Sequence, residues 1–375
     1  MELLLQLGGL QAILLALMLF FRTSAAKTGR KWLAWLLLAL GIASIFHALD
    51  ELSFYLEFPH LIRLNWGLPL CFGPLLYLYV RQLTEPSVKL SQTDFQHFSP
   101  YILNLLLLFP FLLQDGESKI QVLDYFTAII SRGTDIYRTY YYILHIGIAY
   151  WGWHYTLKCL PLLNNYRDRL LANYSDIEKR QLNWMQSIVY GFMGLFTLFV
   201  LSLALNLSTT YPDFDYEQYF YFGSFVLVYW MTFKSVKLEG DTLPSHAQVP
   251  TTTSTLKPAE VDTKQKDQLL EYMRTGKPYL NSELTAVDLA QALGFTRHQL
   301  SEVLNEQLGK NFYDFINTYR VDAFKSHLVN PAFANYNLLG IALESGFKSK
   351  SSFNAIFKKM TGMTPSQYKK GLSRP

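Results

Sequence analysis

Residues 338–359 read LLGIALESGFKSKSSFNAIFKK. Leu338–Ser345 is a short apolar helix, Gly346-Phe347-Lys348 breaks it, and Ser349–Lys359 resumes as a second amphipathic helix. Working upstream, residues 285–308 (TAVDLAQALGFTRHQLSEVLNEQL) have the same form. Thr285–Leu293 turns Val287, Leu289, Ala290 and Leu293 inward, with Thr285 as N-cap and Asp288 three residues on. Gly294-Phe295-Thr296 interrupts, and Arg297–Leu308 carries Leu300, Val303, Leu304 and Leu308 on one face. Ala342, Gly346 and Phe347 each lie 52 residues after Ala290, Gly294 and Phe295, and Val303 and Leu304 recur as Ala355 and Ile356. A helix, a tight glycine turn and a second helix describe a helix-turn-helix, with a small residue (Ala290) where the two helices cross. One such pattern is common among αα corners. Two in register, joined by a long helix over Phe312–Leu328, are far more specific. An amphipathic helix over Lys264–Thr275 precedes the pair, and Thr364-Pro365 opens a last short helix.

The rest of the 375-residue chain is built differently. Overall it is 50% hydrophobic and 17% charged with a net charge of +4. Met1–Phe233 holds 15 Lys/Arg and 16 Asp/Glu, whereas Val261–Pro375 holds 15 and 10 in half the length. Seven stretches approach the roughly 20 apolar residues that cross a bilayer. They are Leu3–Phe21, Trp32–Leu49, Leu64–Val80, Phe98–Leu113, Tyr140–Leu157, Met185–Leu207 and Tyr219–Phe233. The first is not a signal peptide by pattern, since Glu2 precedes it and no small-x-small site ends it. If all seven cross, 13 basic residues fall in the loops on one side and 4 on the other, so the amino terminus faces out and the carboxy-terminal part faces the cytoplasm. His47, Asn65, Asn104, His145, His154, Gln186 and Asn206 are polar residues inside these stretches, fit for interhelical hydrogen bonds. Lys234–Asp262, with Gly240, three prolines and the run Thr251–Thr255, reads as a flexible tether. The expected domains are therefore 1–233, a seven-span bundle and candidate sensor; 234–262, a linker; and 263–375, a DNA-binding domain. The expected fold class is all-α.

At this level of detail the chain resembles a known family. Gly346 to Lys359, continuing through Gly362-Met363-Thr364-Pro365-Ser366-Gln367-Tyr368, is similar to the signature of the AraC/XylS transcription regulators. Leu284–Leu328 is similar to that family's first motif and connecting helix. The seven-span half, with Phe72-Gly73-Pro74-Leu75-Leu76-Tyr77-Leu78-Tyr79, resembles membrane-bound members of Bacteroidota-like bacteria and lacks the soluble sugar-binding barrel of arabinose-type members. The resemblance implies that the second helix of each motif enters a major groove on one face of double-stranded DNA. By position, His298, Ser301 and Glu302 of the first would meet bases, with Thr296, Arg297 and Gln299 near the backbone. Lys350, Ser351, Asn354 and Ala355 of the second would meet bases, with Lys348, Ser349 and Lys358 near phosphates. Glu302 can only accept, which suits a cytosine amino group, and Ala355 offers only an apolar contact to a thymine methyl. The family also implies a homodimer.

These readings favour a membrane-embedded one-component transcription regulator in the bacterial inner membrane. Its partners would be promoter DNA, lipid and an unidentified small-molecule or membrane signal, with no cofactor. A transporter with a DNA-binding-like tail is the rival, weakened because no Asp, Glu, Lys or Arg sits at the centre of a span. An enzyme is disfavoured, because no His-Glu-x-x-His, phosphate loop or Gly-x-Ser-x-Gly occurs. With only Cys71 and Cys159, a disulfide scaffold is excluded.

Overall fold

A computed structural model describes residues 2–21, 27–50, 54–88, 91–121, 136–177, 182–207, 216–238 and 263–372. Among them the chain is helical, and the sole extended pairing is an isolated antiparallel bridge between Tyr174 and Thr285. The longer helices are α1 (Glu2–Phe21), α2 (Lys27–Asp50), α3 (Phe72–Thr84), α4 (Ser99–Leu112), α5 (Ile136–Asn173), α6 (Leu182–Leu207) and α7 (Tyr216–Leu238). The carboxy-terminal set is α8 (Thr263–Thr275), α9 (Ala286–Leu293), α10 (Arg297–Glu302), α11 (Phe312–Val329), α12 (Leu338–Glu344), α13 (Lys350–Thr361) and α14 (Pro365–Leu372).

The chain divides into two compact units, Met1–Asn164 with Asn183–His246, and Asn165–Leu182 with Ala247–Pro375. The end of α5 and the residues after it thus pack in the second unit. Of the tether expected over Lys234–Asp262, the first residues belong to α7, and 239–262 lie outside the described residues.

Among the described residues of the first unit, four helices are long and apolar enough to cross a membrane: Leu3–Phe21, Lys31–Leu49, Gln92–Leu112 and Leu182–Leu205. The seven expected stretches are not seven such helices. Leu64–Val80 is broken, with turns and a 3-10 segment (Leu68–Cys71) leading into α3, which is only 13 residues long. Gly67, at φ 79°, and Pro69 set that irregular entry, and Pro74 falls in the first turn of α3, where a missing N–H costs no intrahelical bond. In α5 and α7, Tyr, Trp and His interleave with the aliphatic residues and dilute their apolar character. Glycines let the helices approach closely. A β-carbon on Gly41 of α2 would lie 2.7 Å from the Gly9 carbonyl of α1, and one on Gly152 of α5 would lie 2.2 Å from the Phe196 ring of α6. His47 and His145, flagged as polar residues within apolar stretches, meet a carboxylate from a third helix. Glu217 of α7 lies 3.3 Å from His145 Nε2 and 3.8 Å from His47 Nδ1, and it accepts the Tyr141 hydroxyl.

The second unit has two apolar cores strung on one helix. Leu269, Met273, Leu289, Leu300, Val303 and Leu304 close around Phe312, Phe315 and Ile316 at the start of α11. Ile341, Ala342, Phe347, Phe353, Ile356 and Phe357 close around Val321 and Phe324 further along it. α11 is therefore the shared spine of two small three-helix lobes, each too small to bury its own apolar stripe without it.

Candidate nucleic-acid interface

The first motif is fixed by its ends. Thr285 caps α9 reciprocally with Asp288: the Thr285 hydroxyl accepts from the Asp288 N–H, and the Asp288 carboxylate accepts from the Thr285 N–H at 3.0 Å. Gly294, at φ 70°, ends it, and the Phe295 N–H donates back to the Ala290 carbonyl at 2.8 Å. Thr296 then caps α10 in a second reciprocal box with Gln299. Buried positions on α9 are Ala286, Leu289, Ala290 and Leu293, spaced as one helical stripe. Val287, expected to face inward, is outside that stripe and 47% exposed. The helix expected to run on to Leu308 is α-helical only to Glu302 and continues as a wider π-helical turn over Val303–Gln307.

The second motif repeats the scheme with tighter constraints. Asn337 caps α12, Gly346 turns at φ 90°, and the Phe347 N–H donates to the Ala342 carbonyl at 3.1 Å. Ser349 caps α13 by accepting from the Ser352 N–H at 3.1 Å. Phe347, Phe353 and Phe357 fill the core of this lobe, so they are packing residues.

Opposite these cores, each second helix shows solvent a polar face. Thr296, His298, Lys348, Lys350, Ser351, Asn354, Ala355 and Lys358 are exposed, while Arg297, Gln299, Ser301, Glu302 and Ser349 are half-buried. The first helix has internal polar contacts. Glu302 lies 3.8 Å from His298 Nδ1 with its side chain only 15% exposed, and Ser301 Oγ accepts from Asn305 at 3.0 Å. On the second, Lys348 pairs with Glu283 and neighbouring Lys359 with Asp314 at 2.7 Å. The 52-residue correspondence does not carry burial with it along these helices: Val303 is buried but Ala355 is exposed, and Asn305 is exposed but Phe357 is buried. The two helices are rotated by about one residue against their cores.

The structure also brings up residues that the sequence reading did not single out. Arg320, midway along α11 and 1% exposed, donates to the carbonyls of Tyr279 and Asn281, each at 2.8 Å, and to Ser175 Oγ at 3.1 Å. Ser175, itself buried, donates to the Leu284 carbonyl at 2.9 Å, and its carbonyl accepts from Asn317 at 3.0 Å. Arg297 donates to Asn173 Oδ1 at 3.1 Å and to the Ala172 carbonyl. Burial lowers both guanidinium pKa values, that of Arg320 to about 10. A buried arginine signals a satisfied group, but its partners lie about 40 residues upstream at Tyr279 and Asn281 and 145 residues upstream at Ser175, so they leave no local pattern. Among the described residues no His, Cys, Asp or Glu group has the arrangement of a metal site.

Residues 289–371 match the helix-turn-helix domain family. An uncharacterized HTH-type transcriptional regulator of Staphylococcus aureus (strain COL) is 31% identical over 103 residues, which are 28% of this chain and 13% of that protein. The uncharacterized HTH-type transcriptional regulator YtdP of Bacillus subtilis (strain 168) is 31% identical over 88 residues, 24% of this chain and 11% of that protein. Residues 289–371 thus form a helix-turn-helix domain. The chain matches only about an eighth of the length of these relatives. No solved structure matches the chain significantly.

Proposed function

We propose that the chain is a membrane-embedded transcription regulator whose two helix-turn-helix motifs read promoter DNA, as a homodimer, while its first unit anchors it and answers a signal. The observation that carries this reading is the pair of glycine turns on one spine, each aiming an exposed polar helix face outward. Such faces suit a major groove, where phosphate contacts hold register and side chains read base edges. His298, Lys350, Ser351 and Asn354 are the base-reading candidates; Thr296, Lys348 and Lys358 are suited to phosphates. Glu302, withdrawn against His298, is better suited to rejecting a base than to binding one. The names of the relatives support the regulatory role.

Membrane embedding is supported by apolar side chains that face outward on the long apolar helices. Leu3, Leu7, Leu10 and Leu14 on α1, and Ile102, Leu103, Leu106 and Leu107 on α4, are all more than half exposed. Lipid is the solvent in which such faces are stable. The sorting of 13 basic residues against 4 supports a cytoplasmic DNA-binding domain. The test is genome-wide binding of the intact, membrane-extracted protein. A recurrent protected sequence that disappears when Lys350 and Asn354 are both replaced by Ala is expected; uniform recovery of DNA with no enriched site would overturn the reading.

A further inference from the structure

We infer that residues 172–176 form an intramolecular latch that competes with DNA for Arg297. The inference rests on the proposed phosphate-facing place of Arg297 at the start of α10. Arg297 is the basic residue nearest the first motif's turn, where a phosphate would approach the N-terminus of the reading helix. In this structure its guanidinium is instead spent on Asn173 Oδ1 and the Ala172 carbonyl. Both acceptors belong to the end of α5, and Asn173 is itself oriented by donating to the Arg169 carbonyl at 2.7 Å.

The segment is held as part of the domain rather than resting on it. Tyr174 bridges to Thr285, the cap of α9, and Ser175 is 2% exposed. Ser175 reaches Leu284, Asn317 and Arg320 through its hydroxyl and its carbonyl. Those partners sit on the loop before α9 and on the spine, the two places that orient the first reading helix. The receiving surface thus matches a short, extended, serine-centred strand of this same chain. Because the segment continues α5, a change in α5 can reach Arg297 without passing through residues 239–262. Asn173 Oδ1 and the Ala172 carbonyl take the Nε–H and an Nη2–H, the edge of the guanidinium that would otherwise pair bidentately with a phosphate, so DNA engagement through that edge and the Asn173 contact compete.

The test uses the full chain in detergent with pooled random-sequence duplex DNA at low salt, since a phosphate contact needs no operator. Asn173→Ala should bind about tenfold more tightly than the unaltered chain, the low end of one lost competing hydrogen bond to a charged group. Asn173→Asp, which adds an ion pair to Arg297, should bind more weakly. Arg297→Ala should bind weakly and make both Asn173 variants indistinguishable. A misfolded variant cannot give the tightening. In parallel, DNA should speed hydrogen exchange at 172–176. If Asn173→Ala leaves affinity unchanged, or if DNA leaves exchange at 172–176 unchanged, while the unaltered chain binds, the segment is only a structural strand and the latch is wrong. If the unaltered chain binds no DNA at all, the DNA-binding reading fails and the latch falls with it.

Discussion

Gly294 and Gly346 occupy the same place in the two motifs, yet they should respond differently to the same substitution. Both have left-handed backbone, at φ 70° and 90°, where a β-carbon is strained. At Gly294 a β-carbon would meet nothing within 4 Å, whereas at Gly346 it would lie 2.2 Å from the Tyr279 carbonyl and 2.9 Å from the Leu280 Cα. That carbonyl is pinned by Arg320 at 2.8 Å and cannot swing away. Gly294→Ala should therefore cost about 1 kcal/mol, and Gly346→Ala about 3 kcal/mol or more, as backbone strain adds to overlap. Native-state hydrogen exchange of α9 and α12 amides would measure the two losses; equal values would show that crowding at Gly346 is relieved cheaply. On the exposed face, Lys350 and Lys358 should separate by role. Lys350→Ala should cost about 1–3 kcal/mol and relax one base preference, while Lys358→Ala should weaken all sequences alike and lower the salt slope by about 1. Binding isotherms on a selected site and on scrambled DNA, over a salt series, distinguish the two outcomes.

Local signals located most of the carboxy-terminal elements. The Thr285/Asp288 pair, the two Gly-Phe turns, Thr364-Pro365 and the apolar stripe of α11 are all chemistry within a few residues, and each marks the helix end or face observed. What stayed illegible was set at a distance. Nothing in its own residues marks the π-helical turn at Val303–Gln307, since Leu300, Val303 and Leu304 already share one face of an ordinary α-helix. The same limit applies in the first unit. His47 and His145 stood out as polar residues in apolar stretches, but their partner Glu217 comes from another helix far along the chain. One carboxylate thereby ties α2, α5 and α7, with His47 also stacked on Tyr221 at 4.4 Å. Removing its charge leaves two imidazoles and the Tyr141 hydroxyl facing a weaker acceptor. Glu217→Gln should lower stability by about 1 kcal/mol, the order of a weakened hydrogen bond. Unfolding in mixed detergent should show it as a lower midpoint; an unchanged midpoint would mean the three helices are held by packing alone.

At the scale of the molecule, the unit that carries the two helix-turn-helix motifs is not a contiguous stretch of chain. The domain expected over 263–375 shares its compact unit with Asn165–Leu182. Composition could not reveal this, because 165–182 is charged like any loop after an apolar helix, and its importance lies in Ser175, an unremarkable residue in sequence. A fragment of residues 263–372 would leave Leu284, Asn317 and Arg320 each short of one hydrogen-bond partner. Water can replace part of this, so the fragment should fold, but at a cost of about 2 kcal/mol relative to the same residues in the whole chain. It should also present Arg297 unoccupied, so its affinity for random duplex DNA should exceed that of the intact protein even as its stability falls. Adding a synthetic peptide of residues 165–182 should reverse both effects, raising the thermal midpoint of the fragment saturably by mass action and lowering its DNA affinity. A peptide whose Ser175 is replaced by Val should act only at higher concentration, because its side chain can neither donate to Leu284 nor accept from Arg320, while its backbone carbonyl is retained. If the natural peptide changes neither midpoint nor affinity, the upstream segment contributes nothing to this domain beyond proximity, and the spine with its two glycine turns is the complete DNA-binding unit.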